Sequence, residues 1–348
     1  MADLTEFAGL PVVEFPFDED KEIREGWEGW RREFRRIQES AGDPSAASAA
    51  WRLRMGGEDS DGDEGEEAAY FARFLAEVDA GQVRALIIGD WFDSGEGGLY
   101  EAVDLLVEHA DALPNLRSVF VGDISVDECE LSWINQPDMA PLLAAFPRLE
   151  ELTVKGAASV LGGVLGLRVP SHTCLRSLTV RSGGLPGQVA RGVASSGLPA
   201  LEHLELWLGM KDYYGDTSPE DLAPVLSGEA FSGLRYLGVR NAEKVDEWIP
   251  VLAEAPVTER VEVLDLSLGV LTDKGGQALL DRADAFAGLR GLDLHHHYLS
   301  EEMEERVRAA FAGSGVEVDL SERLEPSYFP GYGENAEGYW KYYTAAAE

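Results

Sequence analysis

The 348-residue sequence predicts an α/β solenoid, in which repeated strand–helix units stack along one axis. First, residues 261–266 and 289–294 begin 28 residues apart, carry aliphatic residues at their first, fourth and sixth positions, and enclose a helical pattern. Second, the same spacing recurs through the chain at intervals of 26 to 33 residues. The first positions are Ala50, Val83, Leu116, Leu149, Leu175, Leu201, Leu234, Val261, Leu289 and, degenerately, Gly315.

This period and spacing are typical of leucine-rich repeats, whose units cannot bury their apolar faces alone. Strand–helix–strand connections within one sheet imply parallel strands and right-handed crossovers. We therefore expect a leucine-rich-repeat horseshoe with a concave parallel sheet and convex helices, capped at both ends. The predicted divisions are an N-terminal segment at residues 1–49, the solenoid at 50–322 and an aromatic-rich C-terminal cap or tail at 323–348.

Before the repeats, residues 1–17 are apolar and contain proline without a clear period. Residues 20–38 then place Ile23, Trp27, Trp30, Phe34 and Ile37 on one helical stripe. This pattern predicts an amphipathic helix that caps the open end of the core, with a partner helix or membrane anchor as the alternative. We expect residues 39–50 to be a flexible connector and residues 56–67 an acidic loop.

Between the strands, residues 68–78 and 99–113 have clear helical periodicity. Ser218, followed by a first-turn proline, and Ser300, followed by two glutamates, are predicted helix N-caps. The glycine-rich stretch 155–174 is expected to hold little helix.

The C-terminal units LDLSLGVLTDKGGQALL and LDLHHHYLSEEMEERV resemble the ribonuclease-inhibitor-like class of leucine-rich repeats. FAGLPVVEFP, LEHLELWLG and LDLHHHYLSEE are also similar to an uncharacterised family of bacterial cytoplasmic leucine-rich-repeat proteins. That likeness implies the fold and little chemistry. The class carries Asn or Cys three residues after the third aliphatic position, whereas this chain has small residues such as Gly183, Gly209 and Gly269. Its turns must satisfy their backbone groups otherwise, and small residues would let them pack closer.

The composition of the chain limits the kinds of partner that we expect. The formal net charge of −35 would repel nucleic acid and anionic membranes and favour a basic partner, or would only keep the protein soluble. The N-terminus has no export signal pattern, and Cys129 and Cys174 form neither a disulfide framework nor a metal motif, so we expect a cytoplasmic protein. No catalytic or nucleotide-binding motif occurs, and we predict neither enzymatic activity nor a cofactor.

Candidate binding residues follow from strand alternation. On the concave surface, the candidate set includes Glu205, Asp265 and Asp293 of one column and His295 of the next. The position after the third aliphatic residue faces the concave surface and reads Lys155, Arg181, Trp207 and Arg240 in the middle of the array. These residues would suit an acidic peptide or a phosphate- or carboxylate-bearing ligand, with Trp207 as an exposed anchor. Alternatively, the cations pair locally with Glu151, Glu205 and Asp265.

Two aromatic segments could reach the same surface. The loop at residues 209–219 carries Tyr213 and Tyr214, and is either a binding element or an ordinary repeat insertion. The aromatic tail from Leu324 onward is either a folded-back cap or a partner-docking peptide.

One corner permits a different chemistry. His295 and His297 are expected to share a strand face near Asp293, so that a metal is conceivable, but no second cluster completes a site and we predict none. The sequence thus favours a non-catalytic scaffold that binds a protein or peptide on its concave face. An enzyme or small-ligand or metal sensor at Asp265, Asp293 and His295 is the alternative, and a self-assembling structural protein is a third.

Overall fold

A computed structural model describes residues 4–15, 45–55, 65–91, 98–157, 165–330 and 338–346. Its strands are β1 Glu6–Phe7, β2 Leu10–Phe15, β3 Ala50–Leu53, β4 Ala85–Ile88, β5 Ser118–Val121, β6 Glu151–Lys155, β7 Ser177–Arg181, β8 His203–Gly209, β9 Tyr236–Ala242, β10 Val263–Asp265, β11 Gly291–Asp293, β12 Glu317–Asp319, β13 Ser327–Phe329 and β14 Tyr339–Lys341. The predicted helix at residues 20–38 and most of the acidic loop lie outside the described residues.

Strands β1 to β12 form one sheet in chain order. The β1–β2 pair is antiparallel, and every later pair is parallel. The fourth-position residues of successive repeats are register partners, for example Leu178 with Leu204 and Leu264 with Leu292. This arrangement confirms the predicted leucine-rich-repeat solenoid.

Helices connect the strands. The α-helices are α1 Glu66–Glu77, α2 Gly98–Glu108, α3 Ala140–Ala145, α4 Gly187–Ala194, α5 Ala223–Leu226, α6 Val245–Glu254, α7 Asp273–Asp281, α8 Ala283–Phe286 and α9 Glu301–Phe311. Short 3-10 helices lie at Ala46–Ser48, Ala80–Gln82, Ala110–Ala112, Leu131–Trp133, Lys211–Tyr213, Pro219–Leu222 and Pro256–Glu259. None of the described helices is long and apolar enough to cross a membrane.

The predicted helix starts are present. The Ser300 hydroxyl accepts a hydrogen bond from the Met303 amide at 3.2 Å, which caps α9. Ser218 forms a capping box with Asp221, although the helix that follows begins as a 3-10 turn at residues 219–222. The described part of the glycine-rich stretch 155–174 contains no helix, as expected.

A single hydrophobic core lies between the sheet and the helices. The aliphatic residues at the fourth and sixth repeat positions, such as Leu204 and Leu206, are fully buried there against the helices. The other residues of each strand form the opposite, concave surface, which we call the inner face.

Small residues do bring the turns together. Gly209 has a φ of +66°, and a Cβ atom there would lie 1.9 Å from the Gly183 carbonyl oxygen. At Gly269 the corresponding distance to the Ala242 carbonyl oxygen is 2.5 Å. A side chain at either position would therefore collide with the backbone of the preceding turn.

The first repeat was assigned two residues too late. β3 pairs Trp51 with Leu86 and Leu53 with Ile88, so its core residues are Trp51 and Leu53, and Ala50 is not the first position. The aliphatic residues Ala50, Leu53 and Met55 match the repeat spacing in the wrong frame.

The sheet also extends before residue 50, where the sequence showed no period. β2 runs parallel to β3, and β1 turns back along β2. Phe7 of β1 packs its ring 6.1 Å from that of Phe120, so the hairpin covers an apolar patch at the N-terminal end of the inner face.

Candidate functional site

The predicted column of the inner face exists. The four residues lie side by side on the adjacent strands β6 to β9. Lys155 is the register partner of Arg181, and Trp207 is that of Arg240. Arg181 and Trp207 are level with each other, because the residues before them, Val180 and Leu206, are register partners. Adjacent strands are about 4.8 Å apart, so the column spans on the order of 15 Å.

Trp207 lies between Arg181 and Arg240 in this column. The guanidinium carbons of Arg181 and Arg240 lie 5.7 and 5.5 Å from its ring. Its indole N–H donates to Glu205 Oε1 at 2.6 Å, and the residue is only 6 % exposed. The expectation of an exposed Trp207 anchor is therefore wrong, because the two arginines cover its faces.

On the C-terminal side of Trp207, the charges are locally neutralised. Arg240 lies 3.1 Å from Glu205 and 3.1 Å from Asp265, and its Nε donates to the Ser267 hydroxyl at 3.0 Å. Both carboxylates are buried. The alternative of local pairing therefore describes Arg240.

Two further residues, Tyr236 and His203, belong to this network and were not predicted from the sequence. The Tyr236 hydroxyl donates to Asp265 Oδ2 at 2.5 Å, and the His203 ring stacks on that of Tyr236 at 4.0 Å. His203 Nε2 also lies 3.6 Å from Glu205 Oε2. Both residues occupy the third repeat position, which strand alternation places on the same face as the fifth and seventh. Including that column would have found them.

The network sets the pKa values of its members. Burial raises the pKa of Glu205, but the hydrogen bond with His203 and the charge of Arg240 outweigh it and hold the pKa at about 2. Burial raises the pKa of Asp265 more than Arg240 lowers it. Burial and the neighbouring Asp265 raise the pKa of Tyr236, so its hydroxyl stays protonated as a donor.

On the N-terminal side of Trp207, two cations have no carboxylate partner among the described residues. Within the described part of the chain, Arg181 has no carboxylate within 4.0 Å, and its Nε is buried without a hydrogen-bond acceptor. The Lys155 ammonium donates to the main-chain oxygen of Ile124, and burial lowers its pKa. The alternative of local pairing with Glu151 does not hold for either cation.

These two cations line a cavity of about 410 Å³. Its floor includes Trp207, and the loop after β8 adds Tyr213 to the wall. Tyr214, in contrast, is left-handed at φ +67° and 57 % exposed, outside the lining. We call this space, with Lys155, Arg181, Trp207, Tyr213, Lys341 and residues 343–346, the cationic cavity.

The C-terminal segment, residues 338–346, closes one side of the cationic cavity. The Tyr298 hydroxyl donates to the Tyr343 carbonyl at 2.9 Å and accepts from the Tyr343 amide at 3.0 Å. The Ala345 amide donates to the Leu268 carbonyl at 2.8 Å. The buried Asn241 side chain bonds both main-chain groups of Ala346. The segment is thereby fixed along the ends of β9 to β11.

At the predicted corner of Asp265, Asp293 and His295, the aspartates accept hydrogen bonds from the turns that follow their own strands. Asp265, Asp293 and Asp319 each accept a hydrogen bond from the amide two residues later, at 2.9, 3.0 and 2.8 Å. This repeated bond satisfies main-chain groups where each strand ends. Asp265 is further engaged by Arg240, so it does not share a site with His295.

A three-residue group nevertheless remains at this corner. His295 Nδ1 lies 2.7 Å from Asp293 Oδ1, and ligand atoms of Asp293, His295 and Asp319 all fall within 4.8 Å of one another. His297 does not join them. It follows the left-handed His296, is fully buried, and accepts from the Leu299 amide at Nδ1, so it does not share a face with His295.

No protein-family model and no curated protein match the chain. Among solved structures, it is similar to a Bacteroides fragilis protein at 29 % identity, with a TM-score of 0.68 and coverage of 86 % of this chain and 84 % of the other. An internalin from Listeria monocytogenes is 14 % identical, with a TM-score of 0.36 and coverage of 80 % of this chain and 62 % of that one. The fold and the site define a leucine-rich-repeat-like solenoid with a cationic cavity on its inner face.

Proposed function

We propose that the protein is a non-catalytic scaffold that binds an anionic segment of another protein or a peptide on its inner face, at the cationic cavity. The observation that carries this proposal is the unpaired Arg181. Its side chain is half-buried and its Nε is fully buried without an acceptor, which is costly unless another group completes it, and no carboxylate of the described residues lies within 4.0 Å of it. The proposal includes the ribonuclease-inhibitor-like repeat class, supported by the helices that alternate with the strands and by the units from Leu149 onward, which are 26 to 28 residues long apart from one of 33. It also includes a cytoplasmic location.

Affinity capture from the source cell tests the proposal. Arg181→Glu and Lys155→Glu reverse charges in the cationic cavity, and we expect both to lose the partners that the wild type retains. Arg235→Glu is the matched control, because Arg235 is an exposed arginine that pairs with Glu262. If the cavity variants retain every partner, the inner-face assignment is wrong.

The Asp293, His295 and Asp319 group supports a second candidate, a metal sensor. Elemental analysis of the purified protein separates the two functions. A stoichiometric transition metal that is lost in His295→Ala would favour the sensor, whereas a metal-free protein that still captures its partner favours the scaffold.

A further inference from the structure

Among the described residues, the lining of the cationic cavity carries a net positive charge. Three cations line it, Lys155, Arg181 and Lys341, and Asp212 is the acidic residue in its lining. Three positive charges and one negative charge leave a net charge of +2. This excess is unexpected in a chain whose formal net charge is −35.

The acidic groups that act on these cations are already engaged. Glu205 acts electrostatically on Arg181 but pairs with Arg240 at 3.1 Å. Asp123 and Glu128 act electrostatically on Lys155. However, Asp123 lies 2.6 Å from Arg52, and Glu128 lies 3.2 Å from Arg54. Their charge is therefore shared with buried arginines, and neither comes within 4.0 Å of the Lys155 ammonium.

The Arg181 side chain is held in place by ring contacts, but its hydrogen-bond donors are not satisfied by them. Its guanidinium carbon lies 5.6 Å from the Phe120 ring and 5.7 Å from the Trp207 ring. Contacts with two rings fix the orientation of the planar group and leave its N–H donors for an external acceptor. An anionic oxygen in the cavity would give those donors the partner that the described residues do not supply.

Resting on the proposed function, we propose that the cationic cavity is a binding site for a dianionic phosphate group, held by Arg181, Lys155 and Lys341 above Trp207. A phosphate monoester carries about −1.5 to −2 charges at neutral pH, which matches the net charge of +2, whereas a single carboxylate carries half of it. The volume of about 410 Å³ exceeds that of a phosphate alone, so the rest of the ligand also fits. The phosphate belongs either to a phosphorylated side chain or to a small phosphorylated molecule.

The C-terminal segment takes part in this site. Lys341 comes from β14, whereas Lys155 and Arg181 come from β6 and β7. A phosphate bridging these residues would tie the segment to the sheet. Binding should therefore slow amide exchange at residues 343–346 as well as occupy the cavity.

Calorimetric titration of the full chain tests the proposal with inorganic phosphate, with acetate, and with a Gly-Ser peptide in serine and phosphoserine forms. We expect phosphate and the phosphopeptide to release heat, and acetate and the serine peptide to release none. Arg181→Gln and Lys341→Gln should each weaken phosphate binding about 10-fold, the loss of one charge-assisted interaction. Arg235→Gln removes the same charge outside the cavity and should bind as the wild type does. Binding of the phosphopeptide much tighter than free phosphate identifies a protein ligand, and the reverse identifies a small molecule.

The proposal fails if inorganic phosphate and the phosphopeptide give no heat up to about 10 mM, or if Arg181→Gln binds phosphate as tightly as the wild type. Circular dichroism of each variant separates a lost site from a lost fold, and Lys341→Gln changes only a half-buried side chain of the C-terminal segment. If phosphate does not bind but Arg181→Glu still loses its captured partner, the phosphate assignment is wrong and the scaffold stands. If phosphate binds but the cavity variants retain every partner, the inner-face assignment of the partner is wrong and the phosphate site stands as a small-molecule site.

Discussion

Arg181 and Arg240 are the same residue type in the same column, and both stack on Trp207 from neighbouring strands. Arg240 is enclosed by two carboxylates and a hydroxyl, whereas Arg181 faces a cavity without a carboxylate partner among the described residues. A cation that is neutralised within the fold contributes to stability. One that is positioned but not neutralised is available to a ligand. The neighbours of each arginine, and not its column, therefore separate the two roles.

The largest expected effect is a loss of stability when Arg240, the neutralised arginine, is replaced. Arg240→Met would leave Glu205 and Asp265 buried without their cation, since their side chains are 9 and 5 % exposed. Removing one partner of a buried ion pair costs about 3 kcal/mol or more. Urea unfolding at neutral pH should show this loss in the free energy of unfolding. An unchanged midpoint would mean that the network does not stabilise the fold.

Acid should weaken the same network. Glu205 has a folded pKa of about 2 against an ordinary value of 4.5, so its contribution to stability is complete above pH 4.5 and is lost as the pH falls towards 2. Between pH 6 and 3 the loss amounts to about 2 kcal/mol. Asp265, whose pKa is raised, acts in the opposite direction, because its protonation favours the folded state.

Glu205→Gln isolates this contribution. The difference in unfolding free energy between the wild type and Glu205→Gln should shrink as the pH falls from 6 to 3, as measured by urea titrations at each pH. Both proteins share the protonation of all other carboxylates, so the comparison cancels the general effect of acid. A difference that is constant with pH would show that the pKa of Glu205 is not lowered in the folded protein.

The matched substitution of Arg181, the arginine without a carboxylate partner among the described residues, should lower stability little. Arg181→Met removes a guanidinium whose buried Nε has no acceptor, and replaces it with an apolar chain that can pack on Phe120 and Trp207. We expect the free energy of unfolding to change by less than about 1 kcal/mol, while phosphate binding weakens about 10-fold, as in Arg181→Gln. Destabilisation as large as that of Arg240→Met would mean that the two arginines have the same structural role.

The repeat architecture could be predicted because one spacing recurs often enough to fix the frame. Only the first repeat failed, since the aliphatic Ala50 and Met55 imitated a frame whose true core residues are Trp51 and Leu53. Strands β1 and β2 were missed because a short hairpin carries no repeat.

The column of Lys155, Arg181, Trp207 and Arg240 followed from strand alternation alone. Which of its cations would be paired did not follow, because pairing depends on side-chain directions across several strands. The cavity wall at Lys341 depends on a C-terminal segment that docks far from its sequence neighbours, and no local pattern encodes that contact.

The smallest effect concerns that wall. Tyr298→Phe removes the hydroxyl that bonds both main-chain groups of Tyr343, while the ring can still contact Tyr342, whose centroid lies 5.0 Å away. The global free energy of unfolding should change by less than about 0.5 kcal/mol, because the contact lies at the surface. Amide exchange at residues 343–346 should nevertheless accelerate about 5-fold, the effect of about 1 kcal/mol in local opening.

Hydrogen-exchange mass spectrometry of Tyr298→Phe against the wild type measures this opening, with exchange in β6 and β7 as the internal reference. Because Lys341 lies in the loosened segment, the variant should also bind phosphate more weakly than the wild type but more tightly than Arg181→Gln. Such an intermediate affinity would show that docking of the C-terminal segment contributes to the site. Wild-type affinity combined with faster exchange would instead restrict the binding residues to the sheet, and Arg181 and Lys155 would then hold the anion without Lys341.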